Sequence, residues 1–211
     1  IGCKSIAMLL ANIKERLTIL KVFKEIYMEE FVIEGGVPLQ GEVVPSGNKN
    51  AALPLLAACL LTAEPVILHN LPLIRDVLAM RRLIESLGAQ IEEVDTNSWR
   101  ITTQELTASH LDPDLCRRIR ASILIAGPVL ARAGGLCLPP PGGDVIGRRR
   151  LDTHILALQA LGAKITYDRI FDITADEVRG ADILLDEASV TATENAVMAA
   201  VLAKGVTHIR N

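Results

Sequence analysis

No two cysteines of this chain lie close together: Cys3, Cys59, Cys116 and Cys137 are scattered along it. That spacing offers neither a zinc site nor a disulfide framework, and a reducing compartment such as the cytoplasm is the simplest setting for the four thiols. Three of them stand among apolar neighbours and read as small buried hydrophobes. Histidine is equally sparse, and His69 and His208 fall in apolar strand-like runs, which marks them as packed side chains rather than metal ligands. No sign of charge dominates, because 22 basic and 25 acidic residues leave a net charge of -3. A broad basic face for nucleic acid is thereby excluded. A long apolar run is missing too: Ala51 to Leu61 is interrupted by Pro54 and too short to span a bilayer, so it reads as a buried helix. Neither a metal, a cofactor nor a membrane is called for.

What is present is enough apolar material for a sizeable core, 50% of 211 residues, in one large domain or two small ones. Ala7 to Ile26 has helical spacing of Leu, Ile and Val against Lys and Glu but lacks the order of regions in a signal peptide. Residues 1–27 are expected to be an extension outside the fold, with an interaction helix as the alternative reading. From Phe31 onward the chain repeats itself. Leu87-Gly88-Ala89-Gln90-Ile91 recurs as Leu161-Gly162-Ala163-Lys164-Ile165, each copy ending an amphipathic helix (Val77 to Leu87; Leu151 to Leu161) with a glycine stop and entering a strand.

A second pattern occurs three times. Asn50 to Leu61, Arg120 to Ala131 and Thr193 to Ala203 are alanine-rich and apolar around most of the circumference, as expected for helices buried on nearly all sides. Each leads into a β-rich run: Val66 to His69, Leu136 to Leu138, and Val206 to Arg210. The fold class expected is therefore α/β (α+β), built from βαβ-type units of about seventy residues, two complete and a third begun. The third copy stops before its amphipathic helix, so the natural protein is expected to continue past Asn211.

The densest chemistry lies in Pro139-Pro140-Pro141-Gly142-Gly143-Asp144-Val145-Ile146-Gly147-Arg148-Arg149-Arg150. Prolines stiffen the entry, glycines free the backbone, and an acid precedes a guanidinium cluster. Two readings stand: a surface turn, or a loop whose acid delivers a proton to an anion held by the arginines.

With buried helices and short strands in a threefold repeat, residues 28–211 resemble the N-terminal part of the UDP-N-acetylglucosamine 1-carboxyvinyltransferases, a branch of the enolpyruvyl transferase family. Ser46-Gly47-Asn48-Lys49-Asn50-Ala51-Ala52-Leu53-Pro54 is similar to the family's lysine-asparagine segment, Arg120-Ala121-Ser122 to its Arg-Ala-Ser helix start, and Gly142 to Gly147 to its catalytic loop. The family protein is about twice as long, with two inside-out α/β barrels of three repeats each clamping the substrates. The resemblance implies that residues 28–48 form the opening strand region and crossover, that 49–211 form the first barrel, and that the partner of this part is the second barrel of the same protein. It implies transfer of the enolpyruvyl group of phosphoenolpyruvate to the 3′-hydroxyl of UDP-N-acetylglucosamine, the first committed step of peptidoglycan synthesis, through a tetrahedral ketal with release of phosphate.

Residue by residue, the resemblance makes Asp144 the general acid, where most members carry a cysteine. Burial in a closed loop would keep a carboxyl group protonated, while neighbouring arginines pull the other way. Lys49, Asn50 and Arg149 would hold phosphoenolpyruvate; Arg120, Arg149, Arg150, Leu151, Asp152, Thr153, Glu187, Ala188, Ser189 and Val190 would hold the UDP-sugar. The chain departs from the pattern at Arg150, where the family has proline, and at Thr191, where it has glycine. By local chemistry alone Lys49-Asn50 is a loop lysine before an N-cap asparagine, Asp152 a first-turn helix acid, and Arg117 and Arg118 solvated. Because fosfomycin alkylates the loop thiol in the family, resistance is implied. Two alternatives remain open: a UDP-sugar-binding chain without turnover, and 3-phosphoshikimate 1-carboxyvinyltransferase, which would be expected to carry a Lys-Ser loop.

Overall fold

The computed structural model describes residues 32–36, 38, 40–143 and 150–210. Two compact units meet in sequence between Val44 and Pro45. The described residues of the first carry no helix or strand. The second unit holds the regular structure, and its repeat is visible element by element.

In the first copy, helix α1 (Lys49–Ala58) runs into a 3-10 turn (Cys59–Leu61) and then β1 (Val66–Leu68), α2 (Arg75–Ser86) and the hairpin β2 (Gln90–Asp95) and β3 (Ser98–Thr102). In the second, α3 (Pro113–Arg118), a 3-10 segment (Arg120–Ile125) and α4 (Ala126–Ala133) precede β4 (Gly135–Leu138), α5 (Asp152–Ala160) and the hairpin β5 (Lys164–Asp168) and β6 (Ile170–Thr174). The third contributes β7 (Asp182–Leu184), α6 (Val190–Ala200) and β8 (His208–Arg210). Strand orders β1-β3-β2 and β4-β6-β5 are the same antiparallel arrangement, and β7 pairs β8 in parallel across α6, a βαβ unit. Register repeats as well: Ile91 faces Ile101 in one hairpin as Ile165 faces Ile173 in the other.

The repeated Leu-Gly-Ala stops have a physical cause in common. Gly88 and Gly162 take positive φ of 107° and 103°, and the next amide returns to the helix, Ala89 to the Ile84 carbonyl and Ala163 to that of Leu158. Both copies close the last turn in the manner of a left-handed helix cap.

The core is helical at its centre. Leu56 and Ala57 of α1, Val129 and Leu130 of α4, and Ala196 and Ala199 of α6 are fully buried. Where α4 meets α6, Gly127 lies so close to Asn195 that a Cβ would collide with it. Arg132 ties the copies together, donating to the carbonyls of Leu60, Thr62 and Gln104 and so satisfying the end of the first 3-10 turn.

Several expectations are corrected. The alanine-rich helices are not covered on nearly all sides: Leu55 is 49% exposed and Val197 46%. The Arg120 segment starts as a 3-10 helix and becomes α-helical only at Ala126, which leaves Pro128 in the first turn of α4, where a missing N–H costs nothing. The third helix starts at Val190 rather than Thr193, because Ser189 caps it and accepts from the Ala192 amide. His69 and His208 are exposed, at a strand exit and on a two-stranded sheet, and His69 contacts the Ser98 hydroxyl at 2.9 Å. Cys59 and Cys116 are buried, and burial pushes their thiols up to about 12 and about 11; Cys137 is half-buried, and Cys3 lies outside the described residues.

Candidate active site

Asn48 caps α1: its side-chain oxygen accepts from the amides of Asn50 at 2.7 Å and Ala51 at 3.3 Å. The cap is thus Asn48 and not Asn50, two residues earlier than local sequence suggests, and Lys49 becomes the first helical residue. Gly47 permits this start, since a Cβ there would strike the Asn70 carbonyl. Lys49 and Asn50 then stand at the mouth of a cleft of about 250 Å³.

The other walls come from chain starts of the same kind. Asp76 lies in the first turn of α2, Arg120 opens the 3-10 segment, and Thr191 lies in the first turn of α6. First-turn residues of three α-helices therefore line one cavity, so the positive partial charge of three helix N-termini lies close to whatever occupies it. Such a cavity favours an anion.

Gly143 lines the same cleft, and the glycines before it explain how. The Gly142 amide donates to the Cys116 carbonyl at 3.0 Å and the Gly143 amide to that of Arg117 at 3.1 Å, so the loop stem is pinned on the last turn of α3. A side chain at 142 would overlap the Arg117 backbone, and Gly143 has φ of 91°. The stem thus brings the chain into the cleft one residue before Asp144. Asp144 and Arg149 themselves lie outside the described residues.

Within the cleft Lys49 is ion-paired with Asp76 at 2.9 Å, both side chains close to half exposed. Exposed pairs of this sort contribute about 0–1 kcal/mol, so an entering polyanion can take the lysine over. Arg118, expected to be merely solvated, is exposed but lines the cleft, whereas Arg117 bonds its own helix acid Asp114.

Arg120 connects this cleft to a second cluster by donating to the Arg150 carbonyl at 3.0 Å. There Arg150 pairs with Asp152 at 2.8 Å and Asp186 at 3.1 Å, and Thr153 donates to Asp186 at 2.7 Å. The pairing holds the Arg150 guanidinium above its ordinary value, first through the Asp152 bond. Segment 150–153 and the β7–α6 loop are thereby joined, with Asp152 as the first residue of α5 and Ser189 as the cap of α6. Leu151 is half-buried; Glu187, Ala188 and Val190 are exposed. Lys49, Asn50 and Arg120 thus share one cavity, and the 150–153 and 186–190 segments adjoin it through Arg120.

Beneath the cleft lies a buried polar network that the sequence reading missed. Asn195 accepts from the Gly127 amide at 2.7 Å and donates to the Ile123 carbonyl at 3.1 Å and to His154 Nδ1 at 3.2 Å. An accepting Nδ1 places the His154 proton on Nε2, which faces the Thr191 hydroxyl at 3.3 Å. Burial, and then the Arg120 charge, lower its pKa to about 4, so the imidazole is neutral. A lone Asn in an alanine-rich helix and a His inside the Leu151 to Leu161 pattern were the available signals. Asp76 and Asp186 gave none, because first-turn and loop acids are ordinary.

Residues 33–211 match the family model for EPSP synthase (3-phosphoshikimate 1-carboxyvinyltransferase). The UDP-N-acetylglucosamine 1-carboxyvinyltransferase of Bradyrhizobium diazoefficiens is 57% identical over 182 residues, covering 86% of this chain and 42% of that protein. The protein of the same name from Treponema denticola is 54% identical over 184 residues, covering 87% and 43%. The chain therefore spans less than half the length of these relatives. Among solved structures, the enolpyruvyl transferase NikO from Streptomyces tendae superposes with a TM-score of 0.69 at 22% identity, over 84% of this chain and 42% of that one. EPSP synthase from Acinetobacter baumannii gives 0.64 at 16%, over 80% and 40%.

Proposed function

The chain belongs to the enolpyruvyl transferase family that the EPSP synthase model describes, and from that premise we propose that it is the N-terminal part of a UDP-N-acetylglucosamine 1-carboxyvinyltransferase. The observation that carries the reading is the convergence of Lys49, Asn50, Arg120 and the Gly142-Gly143 stem on a cavity faced by three helix N-termini. Identities of 57% and 54% to relatives of that name support the acceptor.

In this reading Lys49 leaves Asp76 for the phosphate of phosphoenolpyruvate, Arg149 and Asn50 complete its binding, and Arg120 faces both substrates. The UDP-sugar extends along Arg150, Leu151, Asp152 and Thr153 and the loop Glu187, Ala188, Ser189 and Val190. Asp144 protonates the methylene carbon as the 3′-oxygen attacks the adjacent carbon, giving a tetrahedral ketal. Loss of a proton from the new methyl group and departure of phosphate then leave the enolpyruvyl ether. The base for the hydroxyl belongs, by family resemblance, to the second barrel.

Residues 1–27 lie outside the fold in this account, 28–48 form the opening strand region and crossover, and 49–211 belong to the first inside-out barrel. The setting is the cytoplasm. Among the described residues no helix is long and apolar enough to cross a membrane.

The test is phosphate release by the protein translated from the whole reading frame, with UDP-N-acetylglucosamine or shikimate 3-phosphate as acceptor. Release with the first alone is expected; release with the second alone, or with neither, overturns the reading. Residues 1–211 by themselves are expected to release none.

A further inference from the structure

Beside the cleft runs a second cavity, a groove of about 500 Å³ between α2 and the end of α3. Arg75, Leu78, Ala79 and Arg82 line it from α2. Their spacing of three, four and seven residues puts all four on one helix face. Arg118, the last residue of α3, and Ile119 line the opposite wall.

The charge on this groove is uncompensated. Neighbouring arginines find acids: Arg81 bonds Glu85 at 3.0 Å and Glu93, and Arg117 bonds Asp114. Arg75, Arg82 and Arg118 have no hydrogen bond or ion pair among the described residues. The groove's acid, Asp76, is already engaged by Lys49 on the cleft side. Three guanidiniums against one acid that is already engaged leave the groove net positive, and a dianion entering between α2 and α3 offsets that charge while accepting several charge-assisted hydrogen bonds. Leu78, 38% exposed, with Ala79 and Ile119, supplies an apolar wall beside the charge.

We infer that this groove is an anion site separate from the Lys49–Arg120 cleft, taking a small organic phosphomonoester whose phosphate lies among Arg75, Arg82 and Arg118 and whose apolar body lies on Leu78. It does not depend on the proposed transferase activity. Asp76, Arg118 and Ile119 form the wall between the two cavities, and Lys49, Asn50 and Arg120 belong to the cleft alone.

The probe is phenyl phosphate, titrated at low ionic strength onto the methyl-labelled protein of the whole reading frame. The Leu78 and Ala79 methyl resonances are expected to shift saturably. Arg75→Ser/Arg82→Ser should weaken that binding by at least about tenfold, the loss of a charged hydrogen bond or more. Asn50→Ala should leave it within about twofold, since that residue lines the cleft alone and shares no partner with the groove. Methyl signals that stay fixed in the wild-type chain overturn the inference without any variant. So does a wild-type affinity in Arg75→Ser/Arg82→Ser, or loss of the groove signal in Asn50→Ala, which would assign the binding to the cleft.

Discussion

His154 shows how much a single buried residue can contribute to pH dependence. Its folded pKa of about 4 lies below the ordinary 6.5, so the unfolded chain binds the proton more readily than the folded one. Stability from this group is complete above about pH 6.5 and is lost as pH falls toward 4, by an amount on the order of 3 kcal/mol. Urea midpoints measured across that range should therefore drop on acidification in the wild type and drop less in His154→Gln; equal slopes would remove His154 as the cause. Its role was not legible in the sequence, where the histidine simply follows Leu151-Asp152-Thr153. Burial and the Asn195 contact come from a helix about forty residues away in sequence. Lys49, Asn50 and Arg120 are legible in the sequence because their flanking residues form motifs, whereas Asp76, Thr191 and Asp186 matter through neighbours that only the folded chain supplies.

At the scale of elements, helix starts decide the site. Asn48, Asp112 and Ser189 cap α1, α3 and α6 through side-chain oxygens, and two of these helices open directly onto the cleft. The Leu-Gly-Ala stops and the buried helices could be read from sequence because glycine stops and apolar periodicity are local signals. The start of α6 was displaced by three residues because apolar patterning does not register a serine cap. Helix α3 is too short to show periodicity, and the 3-10 start at Arg120 depends on where Pro128 can be tolerated. The α4–α6 contact gives a direct test. Gly127→Ala places a methyl group against Asn195, and separating the helices also disrupts the Asn195–His154 network. A loss of about 2–4 kcal/mol in chemical denaturation is expected; a change under about 0.5 kcal/mol would show that the helices can part freely.

At the scale of the molecule, the repeat puts helix N-termini from its first and third copies at one cavity, with the Gly142-Gly143 stem rooted on the second. Repetition was visible in the chain; the convergence of three copies on one cleft was not, since it arises from packing of α1, α4 and α6. By the family resemblance the proposed enzyme carries a carboxylate at the position of the family's usual thiol, and a carboxylate is a poorer nucleophile toward an epoxide. The protein of the whole reading frame should therefore keep its activity in fosfomycin, with no adduct on Asp144 by mass spectrometry; rapid inactivation with such an adduct would contradict this. The most direct measurement pairs turnover with binding in Asp144→Asn of that same protein. Phosphate release should be abolished while UDP-N-acetylglucosamine affinity stays within about twofold of wild type, because binding and proton delivery belong to different residues. Retained turnover would show that another group delivers the proton, and the account of the cleft would fail at its centre.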